Sequence, residues 1–336
     1  MRALAALLAC VSVSGCVHEP AHAATFQEGI NLLLQGDARE ALAVLDRIDP
    51  AGMTPAQRNV TACIRGRFTG NEAPAEALPA EAMAVLHAYQ AYWRDVMTKR
   101  ATPGQGEARL LASLDAMPLL SGAPERTSID AVSAYVVPAM AGLGLHALTG
   151  KTEPLYELMI WKKQEAALYD VTLPEGRVDV KVVFLDDFAS FGWSGFATCG
   201  VAKTGGWAKP DALYAVRSSY DVAAESFRVS YLVHEGQHFA DYGQYPKLEQ
   251  PELEYRAKLA EVAMSRSTTA ELLQGFAALG GTSRAVPHAF ANRKVHLALE
   301  GVAPEQVRAV AARKLHESTE LLQHLGPATV TRFLPD

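Results

Sequence analysis

The chain has 336 residues, of which 49% are hydrophobic and 20% charged, enough for one large or two modest domains. Its formal net charge of -6, with no long run of Lys and Arg, excludes the basic footprint of a nucleic-acid-binding protein.

Taken in chain order, Met1-Arg2 is followed by ALAALLACVSVSGC, a basic start, a short apolar run and small residues, which reads as a secretory signal. The apolar run is too short to span a bilayer as a mature helix. Val13 to Cys16, VSGC, resembles a bacterial lipobox, in which the Cys is lipidated and becomes the new N-terminus. Ordinary cleavage after AHA, Ala21 to Ala23, competes with that reading, and LLAC ending at Cys10 is a weaker lipobox. The resemblance implies a leader over residues 1–16 and a lipid anchor on Cys16 in the bacterial cell envelope, facing the periplasm. Val17 replaces the Asp that would retain the protein at the inner membrane, which favours the outer one. Downstream only Cys63 and Cys199 remain, and an oxidising compartment allows them to pair without requiring it.

From Thr25 to about Ala167 apolar residues recur at three- and four-residue spacing, which predicts a helical domain over residues 25–170. FQEGINLLLQGDAREALAVLDRID, from Phe26, resembles one tetratricopeptide unit. No second copy follows in register, and such a unit needs neighbours to bury its face, which favours a plain helical domain. Residues 80–99 set Met83, Leu86, Tyr89, Tyr92 or Trp93, and Val96 on one stripe, as in a packed amphipathic helix. This helical region also offers a surface for a protein partner.

Near Val171 the composition turns to Val, Phe, Trp and Thr with Gly-rich turns, predicting three or four strands up to about Val216, with VDVKVVFL and ALYAV the clearest. Helices are then expected over 224–242, 251–264, 268–278, 285–299 and 303–325. Helices, a small sheet and further helices make the fold class α+β, with residues 171–336 as its second domain.

The chemistry lies in YLVHEGQHFA. His234 and His238 are i and i+4 on a predicted helix, so both imidazoles project from one face and can bind one zinc ion. Glu235 follows the first His, placed to act on water as general base. Such a motif arises by chance about a few hundredths of a time in a chain of this length. Its flanks carry no charge other than Glu235, and Gly236 costs roughly 1 kcal/mol inside a helix unless packing or access requires it.

The motif resembles the zinc centre of zincin peptidases. No HxxGxxH follows, which argues against the metzincin type, while a next helix rich in glutamate, PELEYRAKLAEVA, resembles the gluzincin arrangement. That resemblance implies a zincin-like domain, a peptide or protein substrate and a third zinc ligand from the second helix. Glu254 and Glu261 share a face there, with Glu252 rotated away. Neither has the spacing from His238 that thermolysin-like enzymes use. Glu254 is preferred because Pro251 can open the helix and leave Glu254 close to the His pair. Glu261 is then a partner for an imidazole N–H or a solvent-facing charge. The family also uses a downstream His or Tyr to stabilise the oxyanion, and His288, on a face with Asn292 and His296, is the candidate, with Tyr242 and Tyr245 as competitors. His316 and His324 read as surface positions. The competing functions are a zinc-binding pseudoenzyme serving as an interaction lipoprotein, and an amide hydrolase acting on cell-wall material.

Overall fold

The computed structural model describes residues 25–70, 78–123, 126–152, 154–209 and 211–336. The leader-like segment, the VSGC motif with Cys16 and the AHA site lie outside them. Within the described residues the chain is mixed α+β, and no helix is long and apolar enough to cross a membrane.

Six helices come first: α1 (Phe26–Leu34), α2 (Ala38–Asp46), α3 (Pro55–Thr69), α4 (Ala80–Met97), α5 (Pro103–Asp115) and α6 (Ile129–Gly142). Their starts follow local chemistry. Thr25, Thr54 and Thr102 each form a capping box, with Glu28, Gln57 and Gln105 respectively, and Asp37 caps α2. On α4 the buried residues are Ala82, Val85, Leu86, Tyr89, Tyr92, Trp93 and Met97, so the aromatic stripe is core, and Met83 and Val96 pack at its margin.

The helical reading up to Ala167 is corrected here. Strand structure begins at β1 (His146–Thr152) and continues in β2 (Leu155–Leu173), followed by β3 (Gly176–Phe191), a short helix α7 (Gly192–Ala197), β4 (Gly206–Lys209) and β5 (Ala212–Val216). The middle of β2, ELMIWKKQEAAL, is made of good helix formers. Its antiparallel ladder with β3, from Met159 opposite Phe191 to Leu173 opposite Gly176, overrides that preference. The strand order is β1-β2-β3-β5-β4, with β3 and β5 parallel and the other pairs antiparallel.

β2 serves two cores. Leu155, Leu158 and Ile160 pack with α1 to α6, whereas Val171 and Leu173 join Val180, Val182, Phe184 and Leu213 beneath the C-terminal helices. A disulfide between Cys63 on α3 and Cys199 after α7 ties the helical region to the sheet. Closing a loop across its sequence separation of 136 residues restricts the unfolded chain by about 5 kcal/mol in the entropic account.

Glu157 on β2 is 5% exposed, and its Oε2 accepts the Trp193 N–H at 3.2 Å. Gly192 has φ +76, and a β-carbon there would fall 1.7 Å from that oxygen, so the carboxyl occupies space only glycine leaves. Burial pushes the Glu157 carboxyl up to about 7, the Trp193 N–H opposing it more weakly. The native state therefore keeps this proton longer than the unfolded chain, whose carboxyl titrates near 4.5. Its effect on stability is neutral below about 4.5 and becomes a penalty as pH rises to about 7, reaching about 3 kcal/mol. Glu157→Gln, which keeps an acceptor for Trp193, is expected to be more stable than the parent at pH 8 by that order and no more stable at pH 4. Urea unfolding at both pH values checks this, and an identical pH dependence in the two proteins refutes it.

Candidate metal centre

After the sheet the chain enters a π-helix over Phe227–Val233, which passes directly into α8 (His234–Gln244). The single helix expected over 224–242 is thus two geometries joined at the first His, and π-helical turns are often found at functional sites. Tyr231, Leu232, Val233, Gly236 and Gln237 are buried, as the uncharged flanks required. A β-carbon on Gly236 would sit 3.3 Å from Val171 Cγ1 and 3.7 Å from Leu173 and Val178 side-chain atoms. The missing side chain lets α8 settle closely on the end of the β2/β3 hairpin.

The next helix, α9 (Gln250–Met264), is buried at every position from Pro251 to Ala263. It nevertheless carries five charged residues over that span, and each charge needs a partner. Glu252 meets Arg284 at 2.5 Å. Arg256 makes two hydrogen bonds to Asp241 of α8, at 2.8 and 3.0 Å, and donates to Ser318 and Thr319 of α12 (Val307–Leu325). This clamp fixes the spacing between α8 and α9. Glu254 and Glu261 face the His pair, and Lys258 lies between them.

His234, His238 and Glu254 form a buried group whose candidate ligand atoms all lie within 4.8 Å of one another. The two Nε2 atoms are 3.1 Å apart. Glu254 Oε2 lies 3.5 Å from His234 Nε2, and its Oε1 lies 3.4 Å from His238 Nε2. Two imidazole nitrogens and a carboxylate converging away from water are a donor set suited to a divalent transition metal. Glu261 approaches the other side of His234, with Oε1 2.5 Å from Nδ1. Nδ1–H donating there leaves the Nε2 lone pair directed at the shared point. Burial works to raise the Glu254 carboxyl, but hydrogen bonds from His238 and His288 and the charges of the His pair hold it well below the usual carboxylate range. Burial disfavours the charged form of His238, yet Glu254, Glu235 and Asp241 together raise it.

Glu254, and not Glu261, therefore shares the point on which both imidazoles converge. Glu261 is 4% exposed, so it is not a solvent-facing charge. Glu235 is half-buried beside the group. His288, at the start of α11 (Pro287–Leu299), is exposed at the rim, with Nδ1 2.8 Å from Glu254 Oε2 and its ring stacked 6.5 Å from that of His234. Tyr242 stacks 6.1 Å from His238, whereas Tyr245 is buried against the Arg256 guanidinium. His316 and His324 are exposed.

Sequence reasoning missed Tyr220 and Tyr231. Burial, and then the charge of Glu235, raise both phenols, and the Tyr231 hydroxyl is buried without a hydrogen-bond partner among the described residues. The position of Tyr231, one turn before Glu235, was the available signal. It also missed the Asp241–Arg256 clamp, whose only trace was an aspartate three residues past His238.

Compared with protein-family models, curated proteins and solved structures, the chain matches none.

Glu254→Gln is expected to abolish tight binding of a divalent cation, while Glu261→Gln, which leaves all three converging donors, weakens it by roughly 10–100-fold. Competition with a chromophoric chelator measures both. The reverse order of severity would make Glu261 the ligand.

Proposed function

We propose that the protein is a zinc-dependent hydrolase, a metallopeptidase of the gluzincin kind, with His234, His238 and Glu254 as zinc ligands and Glu235 as general base. The observation that carries this reading is the convergence of His234, His238 and Glu254 in one buried group at close to zinc-ligand spacing. Ligands about 2.0–2.1 Å from a tetrahedral zinc are separated by roughly 3.3 Å. Here the two Nε2 atoms stand 3.1 Å apart and the Glu254 carboxylate spans them, with Oε1 3.4 Å from His238 Nε2 and Oε2 3.5 Å from His234 Nε2. Three protein ligands leave a fourth position open, the pattern of a catalytic rather than a structural zinc.

Bound zinc would supply a Lewis acid that acidifies water and polarises a carbonyl. The chain's own residues do the rest. Glu235, half-buried, takes the proton from the attacking water on its carboxylate and passes it to the leaving amine. Glu261 holds His234 in the tautomer that keeps its Nε2 free of a proton. His288 at the rim, with Tyr242 beside His238, offers a donor for the oxygen on which negative charge develops. A peptide is favoured as substrate because β4, an antiparallel edge strand, lies against the π-helix that leads into α8: a β-carbon at Gly206 would be 2.8 Å from the ring of Tyr231. An extended chain can pair with such an edge.

Purified protein is expected to contain about one zinc per chain. Glu235→Gln should keep the zinc and lower peptide hydrolysis by roughly 10²–10⁴-fold. Undiminished cleavage by the zinc-loaded variant would remove Glu235 from the mechanism.

The lipobox resemblance at Cys16 supports a site of action in the bacterial cell envelope, on the periplasmic side of the outer membrane. Cys16→Ser should move the protein from the membrane to the soluble fraction of lysed cells, and an unchanged distribution refutes lipid anchoring.

A further inference from the structure

Of the five buried charges on α9, Lys258 has the longest ion pair. It is 7% exposed, and among the described residues its carboxylate neighbour is Glu254, with Nζ 3.8 Å from Oε2, beyond hydrogen-bond length. Its other contact is the face of Phe276, 5.2 Å from the ammonium. The ion pair and the ring compensate its charge, but among the described residues no acceptor is given to its N–H groups, and a ligand acceptor would complete its solvation.

Lys258 lines a cavity of about 320 Å³ between the π-helix, α9, α10 (Thr269–Ala278) and α11. Two further lining groups are unsatisfied. Among the described residues the Thr268 hydroxyl and the Asn292 Oδ1 are buried without hydrogen-bond partners, although Asn292 is held in place by its Nδ2 donating to the Leu279 carbonyl at 3.2 Å. Exposed Ser226, Ser230 and Glu271 form the rim, where the charge of Glu271 is solvated and screened. The cavity adjoins the candidate metal centre. Lys258 Nζ and His288 Nδ1 approach the same oxygen of Glu254, and Asn292 lies one helical turn beyond His288.

We propose that this cavity is a specificity pocket for a carboxylate carried by the substrate next to the scissile bond, with Lys258 as the residue that reads it. An ammonium and a hydroxyl donor suit the carboxylate, and the Asn292 carbonyl suits an N–H of the same residue. Two sources share this chemistry: the side chain of an Asp or Glu, and a free C-terminal carboxylate. The pocket's role in cleavage rests on the metallopeptidase reading, whereas its affinity for carboxylates does not.

Binding is measured first, on full-length metal-free protein, with N-acetylglutamate and N-acetylglutamine as probes and their C-terminal amides as second arms. The parent is expected to prefer the probe bearing the decisive carboxylate by roughly 10–100-fold, as one charge-assisted hydrogen bond provides. Loss on amidation identifies the C-terminal group, and loss on replacing glutamate by glutamine identifies the side chain. Lys258→Met should erase the preference and Lys258→Arg restore most of it. Thr268→Val, which leaves α9 untouched, should weaken it several-fold if Lys258→Met fails to fold. Equal affinity of the parent for charged and neutral probes overturns the pocket, whether or not any peptide is cleaved. In the zinc-loaded protein, a peptide mixture should then be cut preferentially beside acidic residues or near free C-termini, with kcat/KM for those peptides falling about tenfold in Lys258→Met. Carboxylate binding without any peptide cleavage would refute the metallopeptidase reading and leave the pocket standing.

Discussion

The constraint on which this structure turns is the burial of a helix that is not apolar. α9 is enclosed from Pro251 to Ala263 and yet carries Glu252, Glu254, Arg256, Lys258 and Glu261. Enclosing so many charges is unfavourable unless each finds a partner of opposite sign or a hydrogen bond. The surrounding elements are arranged accordingly: Arg284 meets Glu252, Asp241 takes Arg256, and the two histidines of α8 lie over Glu254 and Glu261. The candidate metal centre belongs to this pattern. It gathers two imidazoles and two carboxylates in the protein interior, where a bound dication would relieve the repulsion between the acids and satisfy the nitrogens together.

Precision at the site comes from elements outside it. The Asp241–Arg256 pair bolts α8 to α9 at one end, and α12 supplies Ser318 and Thr319 to the free edge of the same guanidinium. At the other end, contact of Gly236 with Val171 and Val178 sets the height of α8 above the sheet. β2 transmits support further still, since its first half is embedded in the helical core and its second half lies under α8. Donor groups 3.1 to 3.5 Å apart across two helices tolerate little relative movement, and these three attachments restrict the sliding that would separate them.

Much of this was legible in the chain. The i, i+4 spacing of His234 and His238 places both on one face of any helix, and uncharged flanks can be read only as burial. Pro251 near the first turn of α9 and the choice of Glu254 over Glu261 followed from helix geometry, and the three donors do converge. The strand content was under-read because Glu, Lys, Gln, Ala and Leu in β2 favour helix locally, and pairing with β3 is a tertiary effect that no window of sequence contains. The roles of Glu252, Arg256 and Lys258 were hidden for a related reason. Charges are ordinarily solvated, so a helix rich in them reads as a surface, and only its neighbours reveal that it is the centre of the domain.

The two acids facing His234 also explain how one α-helix face can serve two tasks. Glu254 and Glu261 are seven residues apart, two turns, and the imidazole lies between them so that each of its nitrogens points to a different carboxylate. The nitrogen facing Glu261 is within hydrogen-bond reach, while the one facing Glu254 is 3.5 Å away, too long for a hydrogen bond and suited to an ion held between them. The asymmetry assigns the proton to one side and the lone pair to the other. Exchanging the roles would require the ring to flip and α8 to slide along α9, against the clamp made by Arg256. Which glutamate meets which imidazole nitrogen is therefore set by the crossing of two helices rather than by the glutamates themselves.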